Sequence, residues 1–279
     1  MTPKFTLLID CRDETGLIYK VTSVLFKYKL NIIGNDEYVS QEDNHFFMRS
    51  EFSGQVDTAL VLEDLKRLLP GGARIRLASE EKKKLVILVT REYHCLSELL
   101  TRIHFNEMNA TVQAVISNYD TLKQFTENYG IPFHHVPHGE LSREAHEAQI
   151  LLLLHQYQPD LLVLAKYMRV LNPEFVREFQ HRIINIHHSF LPAFQGSHPY
   201  RQAYMRGVKI IGATAHFVND RLDDGPIIAQ SVIPVDHRQD AAGMALAGKD
   251  IEKSVLSHAL KIVLEDRVFV SGNKTIVFD

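Results

Sequence analysis

Apolar and polar positions follow two patterns in succession. Over residues 1–82 the first is that of a small α+β unit. Phe5 to Asp10 is an apolar run of strand length, and Leu17, Val21, Val24, Leu25 and Tyr28 recur at helical spacing within Gly16 to Leu30. Asn31 to Val39 and His45 to Phe52 read as strands joined by the turn Gln41-Glu42-Asp43-Asn44. Val56 to Leu69 reads as a second helix stopped by Pro70-Gly71-Gly72, and Ala73 to Ala78 as a last strand. The order βαββαβ predicts a ferredoxin-like fold.

The charge run Ser79 to Lys84 marks the expected domain boundary, after which residues 83–279 follow a different rhythm. Leu85 to Thr90, Val112 to Ser117, Pro132 to Val136, Leu161 to Ala165 and Arg182 to His187 read as strands. Between them, Leu96 to Ile103, Thr121 to Tyr129, Ser142 to Gln156 and Pro173 to Phe179 read as helices. This alternation predicts an α/β domain, a Rossmann-like doubly wound parallel sheet with helices on both faces. From Lys209 the pattern changes to two long strands, Lys209 to Val218 and Ile227 to Val235, and then a helix from Ala241 to Glu265.

Composition narrows the function classes. A formal charge of −3 gives no pull toward nucleic acid and argues against a membrane surface. Apolar stretches such as Ile150 to Leu154 are far too short to span a bilayer. The N-terminus lacks the basic cluster and apolar run of a signal peptide, and Cys11 and Cys95 form no CxxC. The expectation is a cytoplasmic protein with unpaired thiols.

Candidate chemistry gathers late in the chain. Along Ile183 to His187, Asn185 and His187 point to one side, at the strand end where open parallel sheets bind ligands. A satisfied pair of polar core residues explains that spacing equally well. The loop Asn219 to Pro226 holds Asp220, Arg221, Asp223 and Asp224; by itself it reads as a solvated turn. His187, His188, His198 and His216 fit no standard zinc spacing, so no metal is expected. Gly243 to Asp250 (GMALAGKD) nearly spells a phosphate loop, but Asp250 replaces the Ser/Thr and no strand directly precedes it; it reads as the start of a helix.

Three segments carry a resemblance: Leu164 to Leu171 (LAKYMRVL), Ile184 to Gly196 (INIHHSFLPAFQG) and Gly212 to Gln230 (GATAHFVNDRLDDGPIIAQ). They resemble the formyltransferase fold that uses 10-formyltetrahydrofolate. The first unit, with Asp13, Gly16 and Leu17 ahead of its helix, resembles an ACT domain. Together with His94-Cys95-Leu96, the chain is similar to the formyltetrahydrofolate deformylase family over essentially its whole length.

The resemblance implies that Asn185, His187 and Asp223 are catalytic, with Asp224 the alternative base in a different loop register. It implies a folate site at Met168, Arg169, Val170 and Leu171 and at Leu222 and Asp224 of the 220s loop. The implied reaction is cofactor-free hydrolysis of 10-formyltetrahydrofolate to formate and tetrahydrofolate, supplying formate for purine biosynthesis and balancing the one-carbon pool. The related glycinamide ribonucleotide transformylases have a glycine- and serine-rich phosphate loop after their first strand. Here that segment is TREYHCL, Thr90 to Leu96, without a glycine, which favours water over an amine as acceptor. A formyltransferase acting on an amine, or an inactive folate sensor, are the competing readings. The ACT unit implies a homo-oligomer and an amino-acid effector such as glycine or methionine, with Asp13, Gly16 and Leu17 near its site. No role is assigned to His188; His198 either closes a water pocket or enters a helix.

Overall fold

The elements begin with β1 (Lys4–Arg12), α1 (Leu17–Lys27), β2 (Asn31–Ser40), β3 (His45–Ser53), α2 (Thr58–Leu68) and β4 (Arg74–Ser79). They form a four-stranded antiparallel sheet in the order β2-β3-β1-β4, the predicted βαββαβ arrangement. Leu7 and Ile9 of β1, Met48 and Phe52 of β3, and Val21, Leu25, Val61 and Leu65 of the helices are buried together. The two helices are tied by Asp64, which accepts from Lys27, from the Tyr28 hydroxyl and from Arg67.

The computed structural model describes residues 2–139, 141–194, 196 and 199–278. Two compact units divide it, one up to Glu81 together with Phe278 and the other Lys82–Val277. Lys83 and Lys84 of the charge run lie inside the next strand, where Lys83 pairs with Asp266 (2.5 Å) and the Lys84 amide donates to Asp160 (2.7 Å).

The second unit runs β5 (Lys83–Val89), α3 (His94–His104), β6 (Ala110–Ser117), α4 (Lys123–Glu127), β7 (Phe133–His135), α5 (Arg143–Tyr157), β8 (Leu161–Leu164), α6 (Pro173–Glu178) and β9 (Ile183–His187). It continues with α7 (Pro199–Arg206), β10 (Ile210–Phe217), β11 (Ile227–Pro234), α8 (Ala241–Leu264), β12 (Val268–Ser271) and β13 (Lys274–Val277). One sheet has the order β11-β10-β9-β8-β5-β6-β7. Side chains of the central strand alternate between two cores. Leu85, Ile87 and Val89 pack with residues of α3 and α8, and Val86 and Leu88 with residues of α5 and α6. Each fully buried aliphatic side chain contributes about 1.5–3 kcal/mol relative to an exposed one.

The sheet is mixed, its parallel part ending where the two long strands after Lys209 begin. β5 to β9 are parallel, but β10 pairs antiparallel with both β9 and β11. The β12–β13 hairpin has no counterpart in the predicted elements, and α7 begins directly after His198, where helix entry is one of the two readings. The sequence of α7 is polar, with only Pro199 and Ala203 buried, and the hairpin strands have four residues each. GMALAGKD lies in α8, whose N-cap Asp240 accepts from the Gly243 amide at 2.7 Å.

The turn from β10 to β11 is held from two sides. Asn273 Nδ2 donates to the Asp224 carbonyl (2.8 Å), and the Thr275 hydroxyl donates to the Ile227 carbonyl (2.5 Å), so the β12–β13 hairpin props it. At Gly225 the turn lies so close to the preceding strand that a Cβ would stand 1.7 Å from the Phe217 carbonyl oxygen. Only glycine fits there without moving backbone. Gly225→Ala is therefore expected to cost about 3 kcal/mol in denaturant unfolding, far more than an alanine at an open position.

Candidate active site

The register of β9 and β10 arranges the polar residues. Antiparallel pairing sets His216 opposite Asn185 and Thr214 opposite His187. Asn185 Nδ2 donates to His216 Nε2 (3.2 Å). His216 Nδ1 lies 2.9 Å from the Phe217 carbonyl, which only an N–H can serve, so Nδ1 carries the proton and Nε2 accepts. Burial lowers the pKa of His216 and keeps it neutral. The Asn185 amide is thereby oriented. Thr214 fastens the loop beyond β9: its hydroxyl donates to the Ser189 carbonyl (2.8 Å) and accepts from the Leu191 amide (3.0 Å).

Asp223 comes from the 220s turn in the left-handed region, with φ 54, a conformation aspartate tolerates better than most residues. It brings Oδ1 to 3.2 Å from His187 Nδ1, and its side chain is only 7% exposed. Burial pushes the Asp223 carboxyl up, but the hydrogen bond and charge of His187 outweigh it and hold the pKa below the ordinary value. His187 is 4% exposed, and its Nε2 has no partner among the described residues. A buried ring nitrogen without a partner is expected where a ligand completes the site.

Asn185, His187 and Asp223 all line one cavity of about 320 Å³. Met168, Arg169, Val170, Leu171 and Leu222 line it as well. The strand-following segment that carries the first four is anchored at both ends. The Thr90 hydroxyl donates to the Lys166 carbonyl (2.7 Å), and Glu147 accepts from the Asn172 amide (3.2 Å). Asp224 is not among the lining residues; its carboxylate lies 3.6 Å from Arg221 Nη1 and is 43% exposed. His198 lies outside the described residues.

The predicted effector residues lie in the first unit. Gly16 is the left-handed N-cap of α1 with φ 89, Leu17 is buried in the core, and the Asp13 amide donates to the Asn44 carbonyl (2.9 Å).

A second polar cluster was not foreseen. Glu252 of α8 is 1% exposed and accepts from His94 Nε2 (2.7 Å), Lys166 Nζ (3.1 Å) and the Tyr200 hydroxyl (2.6 Å). Burial raises its pKa, but these donors outweigh burial and bring it down to about 2. A Cβ at Gly248 would stand 2.0 Å from the Tyr200 oxygen, so that glycine makes room for the contact. A readable signal existed: Glu252 sits on the stripe of Ile251, Val255 and Leu256, an acid on an apolar helix face. His94, Cys95 and Glu252 could in principle hold a metal. The Lys166 ammonium already engages that carboxylate and burial raises the Cys95 thiol pKa, so the set suits a cation of the protein's own.

Comparison with known proteins agrees in both units. The formyl transferase family matches residues 83–260 and the ACT domain family residues 5–70. The chain is 52% identical to the formyltetrahydrofolate deformylase of Haemophilus influenzae over 277 residues, 99% of this chain and 100% of that one. The crystal structure of a formyltetrahydrofolate deformylase from Pseudomonas syringae superposes with a TM-score of 0.96 at 39% identity, covering 100% of this chain and 95% of the other. Glycinamide ribonucleotide transformylase 1 from Symbiobacterium toebii shares the fold more distantly, with a TM-score of 0.69 at 28% identity, covering 75% of this chain and 100% of its own. No helix among the described residues is long and apolar enough to cross a membrane. With both domains matched in order and near-complete coverage of its relatives, the chain belongs to the formyltetrahydrofolate deformylase family.

Proposed function

We propose that the cavity binds 10-formyltetrahydrofolate and hydrolyses it to formate and tetrahydrofolate without a cofactor. The observation that carries this reading is the meeting of the Asp223 carboxylate with His187, beside the oriented Asn185 amide, on one cavity wall. A volume of about 320 Å³ suits a bicyclic ring, being at the lower end of small-molecule sites. Arg169 and Arg221 on the lining supply cations for the carboxylates of the folate tail.

In this mechanism the Asp223 carboxylate takes a proton from water as the water oxygen attacks the formyl carbon. His187 Nε2–H and the Asn185 amide stabilise the oxyanion of the tetrahedral intermediate. The intermediate then collapses: the bond from carbon to N10 breaks, the proton held by Asp223 goes to N10, and the acid released ionises to formate. Water supplies the nucleophile, so no electron carrier is required. Water rather than an amine as acceptor is supported by Glu92, whose carboxylate, paired with Lys249 at 2.7 Å, occupies the segment where a phosphate would need amide donors. Formate from this reaction would feed purine biosynthesis and relieve the formylated folate pool. The ACT domain would sense an amino acid, such as glycine or methionine, within a cytoplasmic homo-oligomer.

Asp223→Asn is expected to lower kcat by about 10²–10⁴ with folate binding retained in a fluorescence titration; near-normal turnover would remove Asp223 as base. Because its pKa is depressed, Asp223 stays ionised until the pH falls below about 4, and activity dependent on it is lost only below that. A kcat/KM profile with its acid limb well above that range would assign the limb to another group. Asn185→Ala removes a donor to the oxyanion and should cost about 3 kcal/mol in kcat, with a smaller change in KM; an effect on KM alone would make it a binding residue. Formate release from 10-formyltetrahydrofolate without any amine separates hydrolase from transferase. Repeating the assay with a panel of amino acids tests the sensor, which predicts a shift in rate for at least one of them.

A further inference from the structure

A side cavity of about 550 Å³ lies against the first, and the two share Lys166, Met168 and His188 in their linings. Its other walls include Glu92, Tyr200, Ala245, Lys249 and Glu252. Lys166 stands at the junction. It follows β8 in the left-handed region with φ 62, is 8% exposed, and its Nζ donates to Glu252 Oε2 at 3.1 Å. An ammonium has three donors, and among the described residues Glu252 is the partner found for it, so the group can serve an anion as well. A cation this deep is tenable because the carboxylate beneath it is charged and itself fully bonded, to His94 and Tyr200. The rings of His187 and His188 lie 5.1 Å apart, and those of His188 and Tyr200 6.0 Å apart, so one row of side chains joins the Asp223 pair to this cluster.

We propose that Lys166, anchored on Glu252, binds the carboxylate of newly formed formate, and that the side cavity is the route by which formate leaves and water enters. The proposal rests on the hydrolytic reading above. On that reading folate occupies the first cavity, whereas the smaller product, an anion at neutral pH, is released into a cavity that shares the buried Lys166 with a second one.

The test measures binding of ¹³C-labelled formate by NMR titration of the full chain saturated with tetrahydrofolate, without turnover. Formate should bind together with tetrahydrofolate, and in steady state it should inhibit non-competitively against 10-formyltetrahydrofolate. Lys166→Gln should weaken formate at least tenfold more than it weakens tetrahydrofolate. Ala245→Phe, which narrows the side cavity from a lining residue outside the hydrogen-bonded cluster, should weaken formate binding and lower kcat with tetrahydrofolate still bound; it decides the matter if Lys166→Gln does not fold. Formate that competes with tetrahydrofolate, or that binds both variants as it binds the parent, overturns the proposal. Failure of the amine-free assay would instead remove the hydrolytic reading, since the formate titration does not depend on turnover.

Discussion

The antiparallel addition of β10 to β9 is the constraint on which the site depends. β10 starts near the carboxyl end of β9, with Thr214 opposite His187, and ends with Phe217 opposite Ile184, so the turn that follows has to reach back along β9 to bring Asp223 to His187. The same pairing sets His216 beside Asn185. A slip of one residue would turn His216 to the other face of the sheet and leave the Asn185 amide unoriented. Gly225 keeps the turn tight against Phe217, and the sheet transmits its register to the carboxylate through that contact.

Buried charge is balanced locally around the cavity. Asp223 faces His187, and Glu252 faces Lys166, with His94 and Tyr200 completing its bonds. Between the two clusters sits His188, whose pKa burial, with the positive charges of Lys166 and His187, drives down to about 3. It is neutral at working pH and adds no further positive charge to a crowded region. An unpaired charge at such depth would cost several kcal/mol, so an uncharged imidazole is what the middle position requires.

Much of this was legible in the chain. The helical stripe of Leu17, Val21, Val24 and Leu25 gave α1, and the unbroken apolar run from Leu85 gave the central strand, because burial on one side or both leaves a periodic trace. The candidate triad could be named from its motifs, and the spacing of Asn185 and His187 already put them on one side of β9. The direction of β10 was not legible: antiparallel and parallel strands buried on both faces have the same composition. Nor was α7, whose polar sequence buries little. The Glu252 cluster draws its members from α8, α3, α7 and the segment after β8; nothing in local sequence reports that four separate elements converge on one carboxylate.

The hairpin of β12 and β13 gives the order of synthesis a bearing on the site. Its Asn273 and Thr275 brace backbone carbonyls of the turn almost fifty positions earlier in the chain. A nascent polypeptide that has already emerged through α8 holds every side chain of the cavity wall, yet lacks the brace that steadies Asp223. On the ribosome, the wall of this cavity is therefore finished last by a segment that lines none of it.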